Sequence, residues 1–361
     1  MSSGFPLSLT TDPVADSERA AILADPGFGR YFTDHMATAV WTRDSGWQDR
    51  GIRPLEPFTL HPSAAVLHYA QEIFEGLKAY RHADGSVWLF RPEANARRFA
   101  RSARRMTLPE LPEDDFLTSV EELVRADEAW VPASDGEESL YIRPFMFASE
   151  AFLGVRSAER VTYSVIASPA GPYFASGVTG VALWVTSQYS RSAEGGTGAA
   201  KCGGNYAASL AAQNEAREHG CDQVMYLDSS GKSTLEESGT MNLCLVTSDG
   251  QLVTPALGRI LEGVTRDTVL ALAEDVGLTP VERTITLDEL RAGASDGTIT
   301  EVFAAGTAAV ITPIVRFRGE GYDFAVGNGG PGKQTLTLRE LVLNIQYGRV
   351  EDKHGWMRRV L

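Results

Sequence analysis

Short apolar runs follow one another along the chain, and glycine, proline or aspartate stands near most of their ends. Runs of this kind, rich in β-branched and aromatic residues, predict β-strands. The predicted strands cover 36–42, 86–90, 140–148, 162–167, 181–186, 223–228, 241–247, 251–254, 281–286, 298–304 and 308–315. The stretch 47–50 is mostly polar, and we expect it to lie in a turn.

Fewer segments repeat apolar residues at the three- and four-residue spacing of a helix. Pro92 stands at a favourable first helical position, and Gly220 and Gly348 stand where helices commonly end. These signals predict helices over 92–106, 114–130, 206–219, 264–276 and 336–347. Because strands outnumber regular strand–helix repeats, the pattern predicts an α+β fold rather than a doubly wound parallel sheet.

The length of 361 residues exceeds one average domain, so two domains are expected. Asp-Pro turns and the absence of a clear apolar pattern predict a loosely held N-terminal arm. A stretch rich in proline and glycine after position 168 is the best candidate for a linker. The predicted organisation is an arm over 1–30, a small domain over 31–170, an interdomain loop over 171–180 and a larger domain over 181–361.

Composition excludes several classes of function. The formal net charge of −14 at pH 7 would repel nucleic acid and anionic membranes, so neither is expected as a partner. No apolar run approaches the ~18 residues of a membrane span, and the first thirty residues lack the apolar core of a secretion signal. The six histidines show no metal-binding spacing, and three cysteines without CxxC spacing favour a reducing cytoplasm.

Two positions could carry covalent or acid–base chemistry. Lys201 is flanked by small residues just before a predicted helix, which would let a flat cofactor approach its amine. Burial favours the neutral amine that forms an imine, although by pattern alone a flexible-loop lysine is the better interpretation. Glu237, the second of two adjacent glutamates before an apolar strand, could sit against a ring nitrogen or could simply mark a polar strand entry.

Anion-binding groups are the next candidates. Arginines crowd the helix predicted over 92–106, and most of them fit a solvated helix face. One of them could turn inward to a phosphate, because guanidinium binds phosphate oxygens through two hydrogen bonds. Arg98, beside the apolar Phe99, is the choice over Arg97, although the sequence alone separates these two poorly. Two turns, 262–265 and 305–308, could supply backbone N–H groups to an anion, or could be ordinary turns.

These segments occur together in a fixed order, and in that order the chain resembles the branched-chain amino-acid aminotransferases. These are pyridoxal-phosphate enzymes of fold type IV, and the resemblance extends from about Tyr31 to Trp356. The matching segments are Phe32-Thr33-Asp34-His35-Met36, His68-Tyr69-Ala70, Phe74-Glu75-Gly76-Leu77-Lys78-Ala79-Tyr80, Tyr141-Ile142-Arg143-Pro144, Lys201 with Gly203-Gly204-Asn205-Tyr206, Glu237 with Gly239-Thr240-Met241-Asn242, Gly263-Val264-Thr265-Arg266, and Gly306-Thr307-Ala308.

The resemblance implies a cofactor site for pyridoxal 5'-phosphate. Lys201 would be the catalytic residue that holds the cofactor covalently and moves a proton. Glu237 would pair with the ring nitrogen, and Tyr206 with the ring oxygen. Phosphate ligands would be Arg98, Val264, Thr265 and Thr307.

The resemblance also implies a substrate site and a homodimer. Arg143 would meet the second carboxylate of glutamate, and Tyr69 and Val155 would reach the pocket from a partner subunit. The remaining substrate residues would be Phe32, Phe74, Tyr141, Tyr173, Thr240, Thr307 and Ala308. The family fold has a small N-terminal α/β domain and a larger C-terminal pseudo-barrel domain.

The expected activity is reversible transfer of an amino group between L-leucine, L-isoleucine or L-valine and 2-oxoglutarate, and the sequence does not rank these three. Other interpretations stay open: a D-amino-acid aminotransferase or an aminodeoxychorismate lyase on the same fold, a catalytically inactive binding protein, or an aldolase with a bare lysine.

Residues 308–311 lack the CxxC that some animal members carry there, so no thiol switch is expected at that place. Cys202 is expected to be a packing residue.

Overall fold

The structure is a computed structural model that describes residues 4–133, 136–173 and 178–361. The helices are α1 Asp16–Ala24, α2 Val66–Tyr69, α3 Pro92–Arg105, α4 Glu113–Ala126, α5 Gly203–Glu218, α6 Val264–Ala271, α7 Leu287–Asp296 and α8 Lys333–Gln346, with 3-10 turns at Glu128–Trp130 and Glu274–Val276. The strands are β1 His35–Thr42, β2 Gly46–Pro54, β3 Glu72–Phe74, β4 Leu77–Arg81, β5 Val87–Phe90, β6 Ser139–Ala148, β7 Arg160–Ala170, β8 Val181–Val185, β9 Gln223–Leu227, β10 Leu235–Ser238, β11 Met241–Thr247, β12 Gln251–Thr254, β13 Thr279–Glu282, β14 Ile299–Gly306, β15 Val310–Gly319, β16 Tyr322–Ala325 and β17 Met357–Arg359.

The chain folds into two compact units. The first unit contains Met1–Tyr173, Ala200–Gly203 and Asn344–Leu361, and the second contains Phe174–Ala199 and Gly204–Leu343. These boundaries differ from the predicted ones, because the lysine segment and the end of the chain group with the N-terminal part. The loop predicted over 171–180 lies partly outside the described residues, at 174–177.

The first unit is built on an antiparallel sheet. Its strand order is β17-β5-β4-β6-β7-β1-β2, and β3 also pairs with β6. On β6 the buried residues Ile142, Pro144 and Met146 alternate with the half-buried Tyr141 and Arg143. Successive side chains of a strand point to opposite faces, so one face of β6 is packed in the core and the other carries the polar and aromatic groups.

Helices α3 and α4 cover the core face of this sheet. The ring centroid of Phe99 on α3 lies 5.4 Å from that of Phe116 on α4 and 5.8 Å from that of Tyr163 on β7. All three side chains are almost fully buried. Burial of each such ring stabilises the fold by roughly 1.5–3 kcal/mol, and these contacts fix the rotation of α3 about its axis.

The second unit contains the pseudo-barrel that the resemblance implied. Among the described residues, its strands pair in the order β10-β9-β8-β15-β14-β11, and β10 also pairs with β11, which closes a ring of six strands. Strands β12 and β13 extend from β11, and β16 pairs with β15. Antiparallel pairs predominate in both sheets, which confirms the α+β class.

The local structure differs from the predictions in several places. The expected turn at 47–50 belongs to β2, and the loosely held arm contains helix α1 and a bridge from Leu7 to Ile52, with Phe5 buried. The helix expected over 264–276 ends as α6 at Ala271, and α7 was not predicted. Neighbouring strands and core contacts order these segments, although their own sequences carry little periodic signal. No helix within the described residues is long and apolar enough to cross a membrane.

Candidate functional site

The Lys201 segment lies in the first unit, where main-chain hydrogen bonds hold it. The Lys201 N–H donates to Ser102 Oγ at 3.0 Å, and its carbonyl accepts from the Phe74 N–H at 3.0 Å. Cys202 is 2% exposed and belongs to the hydrophobic core of this unit, which confirms its packing role. Because α3 supplies Ser102 and β3 supplies Phe74, the main chain of Lys201 is held by two regular elements.

The Phe74 ring is shared by two cations. Lys201 Nζ lies 4.9 Å from its centroid, and the guanidinium carbon of Arg143 lies 4.8 Å from it. Arg143 Nη2 also donates to Tyr141 Oη at 3.0 Å. A Cβ at Gly76 would lie 2.2 Å from Tyr141 Oη, so only glycine there lets the phenol approach this closely. Four predicted site residues, Lys201, Phe74, Tyr141 and Arg143, thus form one cluster.

Arg98 does turn inward, and its partner in the first unit is Glu75. Arg98 Nε donates to Glu75 Oε1 at 2.7 Å, and Nη2 donates to Oε2 at 2.8 Å, with both side chains buried. Burial acts to raise the pKa of Glu75, but the charge and hydrogen bonds of Arg98, with Lys201 and Asn95, hold it below its ordinary value. Glu75 therefore stays ionised and fixes the arginine in place.

In the second unit, Glu237 is a buried carboxylate at the end of β10. It is 1% exposed, forms an ion pair with the buried Arg191, and accepts a hydrogen bond from Asn242 Nδ2 at 3.0 Å. The same Asn242 nitrogen donates to the Leu261 carbonyl at 2.9 Å. Arg191 compensates the buried charge, and Asn242 links β10 to the segment that leads into α6.

Strand pairing brings several predicted residues of the second unit to one end of the barrel. Glu237 pairs with Asn242 across β10 and β11, and Asn242 pairs with Ala305 across β11 and β14. The exposed Thr240 is in the turn between β10 and β11, and the half-buried Thr307 and Ala308 are in the turn between β14 and β15. Since these strands are neighbours, both turns lie at the end of the barrel where Glu237 stands.

Strain marks the second of these turns. Val310, the first residue of β15, has a φ of 62°, a left-handed conformation that β-branched side chains rarely adopt. Such a conformation costs on the order of 1–3 kcal/mol and is typical of turns held in one geometry by their surroundings. The backbone N–H groups of 306–309 are therefore set by a constrained turn.

Helix α6 begins at Val264, and Thr265 follows in its first turn. Gly263 precedes it, and no side chain caps the helix there. A Cβ at Gly263 would lie 1.9 Å from Asn242 Oδ1, so glycine allows the helix to start against the asparagine that holds Glu237. The first N–H groups of a helix favour an anion, and here the neighbouring asparagine leaves no space for a larger residue.

The remaining predicted residues lie on helix α5 or on exposed surface. Tyr206 is half-buried in the first turns of α5. Phe32 and Tyr173 are 42% and 51% exposed on the first unit. Tyr69 Oη donates to the Leu153 carbonyl at 2.5 Å, and Val155 nearby in sequence is 89% exposed.

Three site residues were not given a role from sequence: Glu75, Arg191 and Asn242. Glu75 and Asn242 stand inside the matched segments, so their neighbours Phe74 and Glu237 were a usable signal. Arg191 lies far from Glu237 along the chain in a segment without a pattern, and only the fold pairs them. No group of three or more His, Cys, Asp or Glu side chains arranged to hold a metal occurs in the described ranges.

Comparison with known proteins gives close matches. Residues 72–317 match the family described as Amino-transferase class IV. The chain is 52% identical over 367 residues to the branched-chain-amino-acid aminotransferase of Mycolicibacterium smegmatis, with 100% of both chains covered. It is 54% identical over 352 residues to the probable branched-chain-amino-acid aminotransferase of Streptomyces coelicolor, with 97% of each covered.

Solved structures match as well. The branched-chain amino acid aminotransferase of Escherichia coli has a TM-score of 0.74 at 28% identity, covering 90% of this chain and 100% of that one. The branched-chain aminotransferase of Thermoproteus uzoniensis with norvaline has a TM-score of 0.73 at 29% identity, covering 90% of this chain and 100% of that one. The branched-chain amino acid aminotransferase of Thermobaculum terrenum, solved in its PLP-form, has a TM-score of 0.72 at 27% identity, covering 90% of this chain and 98% of that one.

Proposed function

Because the chain belongs to the class IV aminotransferases, and within them to the branched-chain-amino-acid aminotransferases, we propose that it exchanges an amino group between L-leucine, L-isoleucine or L-valine and 2-oxoglutarate. The observation that carries this proposal is the cluster around Phe74. One ring has the lysine amine on it at 4.9 Å and a guanidinium at 4.8 Å. An amine for transfer chemistry and a cation for a second carboxylate are the two groups that this pair of substrates needs.

The residues present fit pyridoxal 5'-phosphate, the cofactor of class IV aminotransferases. Glu237 is a buried carboxylate paired with Arg191, which suits a protonated ring nitrogen. The start of α6 at Val264 and Thr265 and the turn at Thr307 suit a phosphate. Arg98 would add a charged ligand, with Glu75 setting its orientation. When bound, the cofactor supplies an electron sink for the bonds at the substrate Cα.

Lys201 carries out the proton transfer in this proposal. Its main chain is fixed by Ser102 and Phe74, and its amine lies 4.9 Å from the centroid of the Phe74 ring. With the cofactor bound, the lysine amine would act as the base that takes the proton from the substrate Cα and as the acid that gives it back. Glu237 would pair with the protonated ring nitrogen, and Tyr206 would hydrogen-bond the ring oxygen.

Substrate binding uses both polar and apolar groups. The amides of Thr307 and Ala308, with Tyr141, would hold the α-carboxylate. Phe32, Phe74, Tyr173 and Thr240 would line the side-chain pocket. Arg143 would pair with the second carboxylate of glutamate, which an apolar wall alone would exclude.

We also propose a homodimer in the cytoplasm. An exposed apolar patch, defined as Leu67, Tyr69, Leu153 and Val155, covers part of the first unit, with Leu67 59% and Leu153 64% exposed. Tyr69 Oη joins the two segments through the Leu153 carbonyl, and exposed apolar side chains of this kind are typical of protein interfaces. The resemblance implies that this patch faces a partner subunit. Tyr69 and Val155 would then reach into the pocket of that partner.

The test is amino-group exchange by the purified protein loaded with pyridoxal 5'-phosphate. With L-leucine and 2-oxoglutarate we expect equal amounts of 4-methyl-2-oxopentanoate and L-glutamate, and loss of the yellow absorbance when leucine is added alone. D-leucine is the matched control and should give neither. Exchange with the D-isomer would favour a D-amino-acid aminotransferase, and a colourless protein that binds no cofactor would favour a binding protein.

A further inference from the structure

Glu72 is an acidic residue beside the Phe74 cluster to which no role has been given above. It is the first residue of β3, where it pairs with Phe147 of β6. Its half-buried carboxylate accepts a hydrogen bond from the Gly203 N–H, two residues after Lys201. A Cβ at Gly203 would meet the same carboxylate oxygen, so glycine allows this close approach.

Glu72 and Arg143 lie on the same face of the sheet. Glu72 and Phe74 are alternate residues of β3, Phe74 pairs with Phe145, and Phe145 and Arg143 are alternate residues of β6. The guanidinium carbon of Arg143 lies 4.8 Å from the centroid of the Phe74 ring. Burial raises the pKa of Glu72 above its ordinary value, while the Gly203 N–H and the positive charge of Arg143 oppose that rise. Within the part of the chain that the structure describes, Arg143 has no carboxylate in direct ion-pair contact, and its buried Nε has no hydrogen-bond partner. Glu72 therefore acts on the guanidinium through its charge and leaves the Nε position of Arg143 open.

We propose that Glu72 is a specificity-determining residue that sets the balance between apolar and dicarboxylate substrates. The proposal rests on the function proposed above, in which Arg143 meets the second carboxylate of glutamate. Glu72 stabilises the half-buried guanidinium while an apolar side chain is bound, and it repels the second carboxylate of a dicarboxylate. Both effects favour leucine relative to glutamate.

The physical reason is that one site must accept two unlike side chains. When a leucine side chain is bound, it would cover the guanidinium of Arg143. Without a nearby negative charge, that guanidinium would then be poorly solvated. A direct ion pair with Glu72 would solve that problem but would compete with every incoming carboxylate. A carboxylate held back by the Gly203 N–H gives an intermediate field, so Arg143 tolerates leucine and still binds glutamate.

The test uses the holoenzyme and two ligands that cannot react. Glutarate carries two carboxylates, and 4-methylpentanoate carries one carboxylate and an isobutyl group. In Glu72→Gln the side-chain carbonyl still accepts the Gly203 N–H, and only the charge is lost. We expect the Kd of glutarate to fall about three- to tenfold, as for removal of one nearby like charge, and the Kd of 4-methylpentanoate not to fall. The ratio of kcat/KM for glutamate to that for leucine should rise by the same factor.

Controls separate this role from a structural one. Glu18→Gln removes an exposed charge on α1 of the same unit and should leave both Kd values unchanged. Equal weakening of both ligands in Glu72→Gln would mean that Glu72 only holds the lysine segment, and unchanged ligand preference would mean that its charge has no role. Either result overturns the proposal.

A double-mutant cycle keeps this proposal distinct from the proposed function. The shift toward glutarate should vanish when Glu72→Gln is made in an Arg143→Gln background. If Arg143→Gln alone binds glutarate as the wild type does, the substrate role of Arg143 is wrong. If the wild type does not exchange amino groups between leucine and 2-oxoglutarate at all, the proposed function itself is wrong.

Discussion

At the residue scale, two buried carboxylates are each held by an arginine of their own unit. Glu75 pairs with Arg98 and Glu237 pairs with Arg191, and all four side chains are at most 5% exposed. Loss of one partner from a buried ion pair typically costs about 3–5 kcal/mol, because it leaves an uncompensated charge. Arg98 therefore keeps Glu75 ionised, Arg191 compensates the buried charge of Glu237, and each carboxylate holds its arginine in place.

Val155 offers a residue-scale test of the proposed dimer. It is 89% exposed, so an aspartate there does not disturb the folding of one subunit. If the patch is an interface, Val155→Asp should raise the dimer dissociation constant at least about tenfold, because it buries an unpaired charge. Sedimentation velocity over a range of protein concentrations measures this.

Leu210→Asp is the matched control, since Leu210 is an exposed apolar residue, 64% accessible, in the other unit. It should sediment as the wild type does. Identical sedimentation of the Val155 variant and the wild type would remove the patch from the interface.

Sequence predicted the residues whose neighbours carry a signal and missed those that pair through the fold. The small residues around Lys201 and the segment after Glu237 marked both positions. Arg191 has no such neighbours, and its pairing with Glu237 depends on a contact between segments far apart in sequence. The place of Arg98 beside the apolar Phe99 favoured it over Arg97 only weakly, and nothing in the sequence indicated its partner Glu75.

At the scale of elements, the strand order of the second unit places two of its turns at the same end of the barrel. Adjacent strands β10, β11, β14 and β15 place the turn with Thr240 and the turn with Thr307 at the same barrel end. Asn242 then connects that end to the start of α6 through the Leu261 carbonyl. The element that would hold the phosphate is thereby coupled to the one that would hold the ring nitrogen.

Gly263 tests this coupling. In Gly263→Ala the new Cβ would lie 1.9 Å from Asn242 Oδ1, so either α6 or the asparagine must move. We expect the Kd for pyridoxal 5'-phosphate to rise at least about tenfold and stability to fall by roughly 1–3 kcal/mol, as for overpacking. Fluorescence titration of the apoenzyme and chemical denaturation measure the two effects.

Gly330→Ala is the control for the added methyl group. Its Cβ would lie 3.4 Å from Asn328 Oδ1, which is ordinary contact, so cofactor binding should not change. If Gly263→Ala binds the cofactor with wild-type affinity, the start of α6 is not part of the phosphate site.

Elements with an apolar pattern were predictable, and those held by their neighbours were not. Strands such as β6 and β11 carry runs of buried apolar residues that sequence reveals directly. Strand β2 is largely polar, and it is ordered by its pairing with β1. Helix α7 has few buried residues, so its apolar signal was too weak to be recognised.

At the scale of the whole molecule, the two units are not continuous along the chain. Ala200–Gly203 and Asn344–Leu361 belong to the first unit although they are separated from it in sequence. Composition and linkers cannot reveal such returns, because they depend on contacts between distant segments. The family resemblance predicted the barrel. Only the structure shows that the segment with Lys201 belongs to the first unit.

Reductive trapping of the holoenzyme shows whether the amine of Lys201 carries pyridoxal 5'-phosphate. Borohydride treatment of the holoenzyme followed by peptide mapping should place the cofactor-derived mass on Lys201. The four other lysines, Lys78, Lys232, Lys333 and Lys353, serve as internal controls and should remain unlabelled. Label on any of these four, or on no lysine at all, would contradict the account.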